Sequence, residues 1–233
     1  MTREVCVFIF ARGGSKGVPR KNLRQAGGRS LLDWSIDVAL EIPEAAGVFV
    51  STDDDEIASL AKERGVGVIR RGPELSGDDS AEWLAWQHAI TSAKEMGFGC
   101  DVFLSIPATA PLRVLEDAIR CLDALEEEVD CVATMTPSHH HPAFNMVSAD
   151  NQGNLRLGSS KNPALTRRQD APSLYSLTTV AYAARSDFIL QSSSMWQGLV
   201  RGVEIPAERA LDIDSEWDLY LADLVLRDRT KHV

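Results

Sequence analysis

The feature that most limits the fold is an alternation of two hydrophobic rhythms. Short runs of strand-forming residues recur along the chain, with segments of helical periodicity between them. "VCVFIF" (5–10) reads as a buried strand. Ser30 then opens "SLLDWSIDVALE" as an N-cap, with Asp33 three residues on in a capping-box pattern, and Leu32, Ile36, Ala39 and Leu40 follow at helical spacing. "VFVST" (48–52) predicts the next strand. "DDDEIASLAKERG" predicts a helix opened by acidic residues and closed by Lys62, Arg64 and Gly65. "VGVI" (66–69) is a third strand; then come a helix from Ser80 to Met96 ending at Gly97, a strand over 101–106, a helix over 114–127 and a fifth strand over 130–135. This order predicts an α/β domain with a mostly parallel sheet and helices on both faces.

The rhythm breaks between 137 and 172, a polar, proline-bearing stretch in which "AFNMVSADNQGNLRL" has the look of a small hairpin. Loops this long are seldom idle, so the stretch reads as a compact excursion reaching toward a partner subunit rather than as disorder. Regular structure resumes with a strand over 174–184, and "SEWDLYLADLVLRD" closes the fold as a helix. The 233 residues are read as a single domain, 1–233, with this one excursion.

Composition narrows the partners. Lys and Arg number 24 against 34 Asp and Glu, a formal net charge of −10. Such a field argues against nucleic acid, so an anionic ligand must be held by local cations. No apolar stretch approaches the length of a membrane span, and the N-terminus lacks the marks of a signal peptide; the chain is read as cytoplasmic. Cys6, Cys100, Cys121 and Cys131 show no metal-binding spacing and are read as buried, reduced thiols.

The densest cationic cluster is "FARGGSKGVPRKN" (10–22), directly after the first strand, where open α/β sheets place ligand crevices. It fits neither the dinucleotide fingerprint nor the Walker A loop. Gly13 and Gly14 nevertheless let backbone N–H groups approach a triphosphate, and Arg12, Lys16, Arg20 and Lys21 can neutralise a leaving pyrophosphate. The plainer reading is a solvated turn. In "LDIDSEWD" (211–218), Asp212 and Asp214 stand at i and i+2, so an extended segment points both carboxylates to one face, which suits Mg²⁺ sharing substrate phosphates. The competing reading is that Asp214 or Ser215 merely caps the last helix. "STDDDE" (51–56) reads as charges serving a helix dipole, and His139, His140 and His141 as structural or shelf residues rather than metal ligands. Arg167 and Arg168 offer a carboxylate grip or simple solvation.

Together these pieces resemble the acylneuraminate cytidylyltransferases, which make CMP-activated nonulosonic acids such as sialic acid. The residues that carry the resemblance are "ARGGSKGVPRKNL" (11–23), "VSTDDDEIA" (50–58), "RRGPELSGDDS" (70–80), "ATAPLR" (108–113), "HHP" (140–142), "RRQDAP" (167–172) and "LDIDSEWDL" (211–219), in order over essentially the whole chain. The resemblance implies a Rossmann-like nucleotidyltransferase fold and a homodimer in which the excursion helps build the neighbour's sugar site. It implies CTP, an acidic keto-sugar and Mg²⁺ as partners. By position, Arg12, Ser15, Lys21 and Asn22 would hold the nucleotide, joined by Arg71. Asp212 and Asp214 would ligate Mg²⁺, Arg168 would receive the sugar carboxylate, and Arg12 and Lys21 would act on the reacting phosphates with the metal pair. The reaction implied is attack of an anomeric C2 hydroxyl on the α-phosphorus of CTP, with loss of pyrophosphate. No general base is evident.

Three departures fall on the sugar side. Pro107-Ala108-Thr109-Ala110-Pro111 stands where sialic-acid members usually have Gln-Pro-Thr-Ser-Pro, and Thr178-Thr179-Val180-Ala181-Tyr182 where they have Asn-Gly-Ala-Ile-Tyr. Ala143, Phe144 and Asn145 replace a stretch that often holds a lysine. Thr178 and Tyr182 are therefore expected at an altered acceptor site, and the acceptor is expected to differ from plain N-acetylneuraminate. The rival readings are a nucleotidyltransferase acting on a sugar 1-phosphate and a non-catalytic nucleotide-binding regulator.

Overall fold

The computed structural model describes residues 3–231 apart from 16, 44, 78–80, 159–166 and 168–170. Its strands are β1 (Val5–Phe10), β2 (Gln25–Ala26), β3 (Arg29–Ser30), β4 (Ala45–Thr52), β5 (Gly67–Arg70), β6 (Val102–Ser105), β7 (Cys131–Pro137), β8 (Val147–Ala149), β9 (Leu155–Leu157), β10 (Tyr175–Arg185) and β11 (Val200–Glu204). Its helices are α1 (Leu31–Leu40), α2 (Asp55–Glu63), α3 (Glu82–Glu95), α4 (Leu115–Asp123), α5 (Ser186–Gln191) and α6 (Glu216–Lys231). Seven strands form one sheet in the order β11-β7-β10-β6-β1-β4-β5. Every neighbouring pair is parallel except those made by β10, which runs against both β6 and β7.

The β1 sequence shows why this is a three-layer structure. Successive side chains of a strand point to opposite faces. Val7 and Ile9 enter one core with Leu32 and Ile36 of α1, Ile57 and Ala61 of α2, and Ala118 and Cys121 of α4. Cys6 and Phe8 enter the other with Trp83, Trp86 and Ile90 of α3 and Ile189 of α5. Phe8 stacks between Phe49 and Phe103 at centroid distances of 5.6 and 5.2 Å. Both faces of the sheet are thus apolar, as a mostly parallel sheet requires. All four cysteines are buried free thiols, as expected.

Local chemistry sets the helix ends. Ser30 Oγ accepts from the Asp33 N–H at 3.0 Å, and Asp54 Oδ1 accepts from the Glu56 and Ile57 N–H groups at the start of α2. Gly65 and Gly97 take the left-handed conformation after α2 and α3, at φ of 73° and 89°. One expected helix is shorter than its sequence suggested: α4 stops at Asp123 rather than 127. The run Glu126-Glu127-Glu128 would set negative charge at a helix C-terminus, where it is unfavourable. Instead Arg185 donates to the Glu126 and Glu127 carbonyls.

The expected excursion contains a hairpin, β8–β9, paired from Val147↔Leu157 to Ala149↔Leu155. Its Met146, Val147, Leu155 and Leu157 are exposed, as are Leu174, Tyr175 and Leu177 nearby. No helix among the described residues is long and apolar enough to cross a membrane.

Candidate active site

The basic loop begins where β1 ends. The Ala11 N–H donates to Ser51 O at 3.0 Å, carrying the chain alongside β4 before it turns. Asn22, 6% exposed, donates from Nδ2 to the Arg12 carbonyl at 3.0 Å and closes the loop on itself. Arg20 sits in the left-handed region at φ 55° and starts the short turn that carries Lys21 and Asn22. The loop borders a cleft of about 350 Å³ lined along one side by Arg12, Gly14, Ser15, Lys21 and Asn22. Phe10, Arg71, Leu75, Gly77, Ala81, Glu82, Ala85 and Thr109 line the remainder. The structure therefore gathers the expected nucleotide residues Arg12, Gly14, Ser15, Lys21, Asn22 and Arg71 around one space.

Gly13 differs from its expectation. Its N–H is taken up by Asp53 Oδ1 at 2.9 Å, and a Cβ there would meet Asp54 Oδ2 at 2.7 Å. Gly13 braces the loop against the β4–α2 turn, while Gly14 faces the cleft with nothing within 4 Å of its Cβ position. The acidic run "STDDDE" correspondingly does more than serve a dipole: Asp53 holds the loop, Asp54 caps α2, and Asp55 pairs with Arg70.

The segment of Asp212 and Asp214 closes one end of this region. Ile213 is fully buried in a small core under α6, and its N–H donates to Thr109 O at 2.9 Å. With Ile213 turned inward, the flanking carboxylates share the opposite side of the extended segment. Asp212 Oδ1 is buried without a hydrogen-bond partner among the described residues. Asp214 Oδ1 meets Lys21 Nζ at 3.1 Å. Capping of α6 falls to the next residues: the Asp218 N–H donates to Ser215 Oγ at 3.3 Å, and Asp218 Oδ2 accepts from the Ser215 N–H at 2.8 Å. Asp214 is thus not the cap.

An orphaned carboxylate oxygen beside an exposed carboxylate fits a hard divalent cation whose remaining ligands are phosphate oxygens and water. Among the described residues no group of three or more His, Cys, Asp and Glu could hold a metal alone, so a complete protein cage is not what these donors form. Within the histidine run, His141 makes local contacts: its Nδ1 accepts from the Ala143 N–H at 3.0 Å, and its ring lies 5.2 Å from Phe144.

Burial tunes the groups deeper in the cleft. It lowers the Arg71 pKa, an effect Asp53 opposes and Arg12 reinforces, and Arg71 Nε has no hydrogen-bond partner among the described residues. Burial raises the carboxyl pKa of Glu82, which Trp86 and Arg71 partly offset and Asp212 increases. Burial, then the charges of Glu82 and Asp212, pushes the Tyr182 phenol up to about 12, so it remains a hydrogen-bond donor. Glu82 carried no signal in the sequence beyond its place at a helix start.

The expected acceptor residues separate. Tyr182 is half-buried against Trp86, with ring centroids 5.5 Å apart. Thr178 is turned away from the cleft: it is 6% exposed and its hydroxyl donates to Thr134 Oγ1 at 2.7 Å. Thr179 is the more open neighbour. Arg168 and Lys16 lie outside the described residues.

Comparison with known proteins gives this geometry a context. A family model described as cytidylyltransferase matches residues 6–196. The chain is 30% identical over 231 residues to post-translational flagellin modification protein B of Campylobacter coli, covering 97% of this chain and 96% of that protein. It is 31% identical over 227 residues to the CMP-N,N'-diacetyllegionaminic acid synthase of Campylobacter jejuni, covering 96% and 95%. It is also 30% identical to N-acylneuraminate cytidylyltransferase B of Danio rerio, of which it spans 51%. Among solved structures, a CMP:2-keto-3-deoxy-manno-octonic acid synthetase complexed with CTP superposes with a TM-score of 0.74 at 15% identity, over 97% of this chain and 99% of that one. This last likeness supports the Rossmann-like α/β fold.

Proposed function

The chain belongs to the cytidylyltransferase family, and we propose that it transfers CMP from CTP to the anomeric C2 hydroxyl of a nonulosonic, 3-deoxy-2-keto sugar acid. The observation that carries this reading is the cleft itself. A basic loop with Arg12, Ser15 and Lys21 stands on one side, and Asp212 and Asp214 reach the same region through the Lys21–Asp214 contact. A triphosphate needs both: donors for its oxygens and carboxylates for the cation that accompanies it.

In the reaction, the C2 hydroxyl oxygen bonds to the α-phosphorus, the bond from that phosphorus to the bridging oxygen breaks, and pyrophosphate leaves. The hydroxyl proton passes to solvent. Arg12, Ser15 and Lys21 bind the phosphates, and Arg12 and Lys21 neutralise charge on the departing pyrophosphate. Gly14, without a side chain, leaves room for close approach of the nucleotide. Asn22 and Arg71 complete the nucleotide site, Asn22 partly by fixing Arg12. Mg²⁺ held by Asp212 and Asp214 would supply further charge neutralisation at the phosphates. Arg168, by its place in "RRQDAP", receives the acceptor carboxylate, and Tyr182 serves the acceptor side.

The exposed apolar hairpin β8–β9 supports a homodimer, since a contiguous apolar patch on a small domain marks an interaction surface. The test of function is pyrophosphate release with each nucleoside triphosphate against a panel of keto-sugar acids, with and without Mg²⁺. Release that requires CTP, an acid and the metal is expected. Release with a sugar 1-phosphate alone, or with no acceptor dependence, overturns the reading.

A further inference from the structure

Behind Thr109, which lines the cleft, lies a buried cation that the mechanism above does not use. Strand β10 breaks register against β7: Leu177 pairs with Met135 and Tyr182 with Ala133, so residues 178–181 bulge from the ladder. The Thr134 hydroxyl fills the gap, donating to Ala181 O at 3.0 Å and accepting from the Ala181 N–H at 3.1 Å. Arg113, 4% exposed, holds the outside of the bulge. Its Nε donates to Val180 O at 2.8 Å and its Nη2 to Thr179 O at 3.3 Å. The same guanidinium donates from Nη2 to Pro107 O and from Nη1 to Ser35 Oγ at 2.7 Å.

A guanidinium buried on neutral oxygens is a costly core element. Burial draws its pKa down to about 9, with Asp117 and Asp212 opposing that shift through their charge. What the arrangement achieves is a joint. The turn at 107–111 and the bulge at 178–181 are locked to each other, and these are two of the three segments in which the chain departs from the sialic-acid pattern.

The joint has a definite product. Thr178, Val180 and Ala181 are buried, while Thr179 remains half-open. Thr179 Oγ1 stands 3.5 Å from Thr109 Oγ1. Thr109 lines the cleft, and its carbonyl accepts the N–H of Ile213, the residue between Asp212 and Asp214. Two hydroxyls are thus presented together within one residue's reach of the paired carboxylates.

We propose that the Thr109–Thr179 hydroxyl pair is a specificity-determining contact for a polar ring substituent of the acceptor acid, with Arg113 as the residue that positions it. The inference rests on the acceptor being a sugar acid that reacts beside Asp212 and Asp214. A hydroxyl pair both donates and accepts, so it suits a sugar hydroxyl or acylamido group and penalises an acceptor that leaves it unmatched.

The test uses the full chain with CTP and three acids: N-acetylneuraminic, N,N'-diacetyllegionaminic and 2-keto-3-deoxy-manno-octonic acid. Thr179→Val is expected to raise KM for the best acid about tenfold, the scale of one lost hydrogen bond, while KM for CTP stays within about twofold. Thr179→Ser is expected to restore the acid KM. Arg113→Lys, which cannot span the same four acceptors, is expected to change the ratios of kcat/KM among the acids. If Thr179→Val leaves the acid KM unchanged, or Arg113→Lys lowers kcat/KM by one common factor for every acid, the inference falls while the transferase reading stands. If the wild-type chain transfers CMP to none of the acids, the transferase reading falls and takes the inference with it. Should Arg113→Lys fail to fold, the two Thr179 variants decide alone.

Discussion

Lys21 Nζ lies 3.1 Å from Asp214 Oδ1, joining residues 193 apart across the mouth of the cleft. The lysine side chain is 15% exposed and the carboxylate 76%. A buried-stem cation therefore reaches out to an open acid, and the contact marks where the basic loop and the acidic segment face one another. The backbones meet as well: a Cβ on Gly17 would fall 2.1 Å from the Asp214 carbonyl oxygen. Loop and acidic segment form one construction, whose opposite charges a metal-bound triphosphate would occupy together.

Because Asp214 is so exposed, its ion pair contributes little to folding, on the order of 0–1 kcal/mol. Asp214→Ala is expected to lower kcat by at least about a hundredfold. It should move the melting temperature by no more than about 2–4 °C, the shift that ~1 kcal/mol produces in a chain of this size. Steady-state pyrophosphate release and a thermal melt followed by circular dichroism separate the two effects. Activity near that of the wild type would remove Asp214 from the metal site.

The glycines of the loop should divide by role. Gly17→Ala places a methyl group against backbone that cannot swing aside, so it should destabilise the fold by about 1–3 kcal/mol and reduce activity together. Gly14→Ala meets open space and should leave the urea midpoint unchanged while raising KM for CTP, since the added carbon projects toward the nucleotide. Equal urea midpoints for the two variants would contradict the Gly17–Asp214 packing.

Much of this was legible because it is local. The strand-then-glycine signal found the loop, the i, i+2 spacing found the paired carboxylates, and Ser30 announced α1. What escaped depends on distant partners. Arg113 in "APLR" looks like any solvated cation, and only the folded chain brings it to Ser35 and Val180, 78 and 67 residues away. The reversal of β10 has no signature in its apolar pattern, because strand direction is set by the connections. Its bulge then inverts the alternation, so Thr178 turns inward and Thr179 outward. Strand β11 and helix α5 are short enough that packing, not propensity, decides them.

The α1–α2 junction should carry a pH dependence with a definite sign. Burial opposes ionisation of Asp37, but hydrogen bonds from Arg29 and Arg64 outweigh it and hold the pKa below the usual aspartate value. A carboxyl with a folded-state pKa below its unfolded one, near 3.9, contributes stability that is full above that value and lost as pH falls through the lowered pKa. Asp37→Asn is expected to destabilise the protein at pH 7 by about 1–3 kcal/mol. The gap from wild type should narrow in urea titrations below about pH 4. A gap independent of pH would show that packing, rather than charge, is what Asp37 supplies.

The excursion offers the last test. Leu155 is 66% exposed and Val147 51%, and the register of their hairpin, with Val147 opposite Leu157 and Ala149 opposite Leu155, places them on one face. Exposed apolar surface of this kind is stabilised by a second copy when a two-fold axis lets the same patch face itself. Leu155→Glu places a charge where such an interface would be driest, so it should shift sedimentation from dimer to monomer. Because the side chain contributes nothing to the core of its own subunit, the thermal melt of the isolated monomer should keep a cooperative transition. If the excursion also completes the neighbour's acceptor site, the monomer should lose CMP transfer while retaining CTP binding by calorimetry. A wild-type chain that sediments as a monomer, or a Leu155→Glu dimer with full activity, would place the assembly surface elsewhere on the molecule.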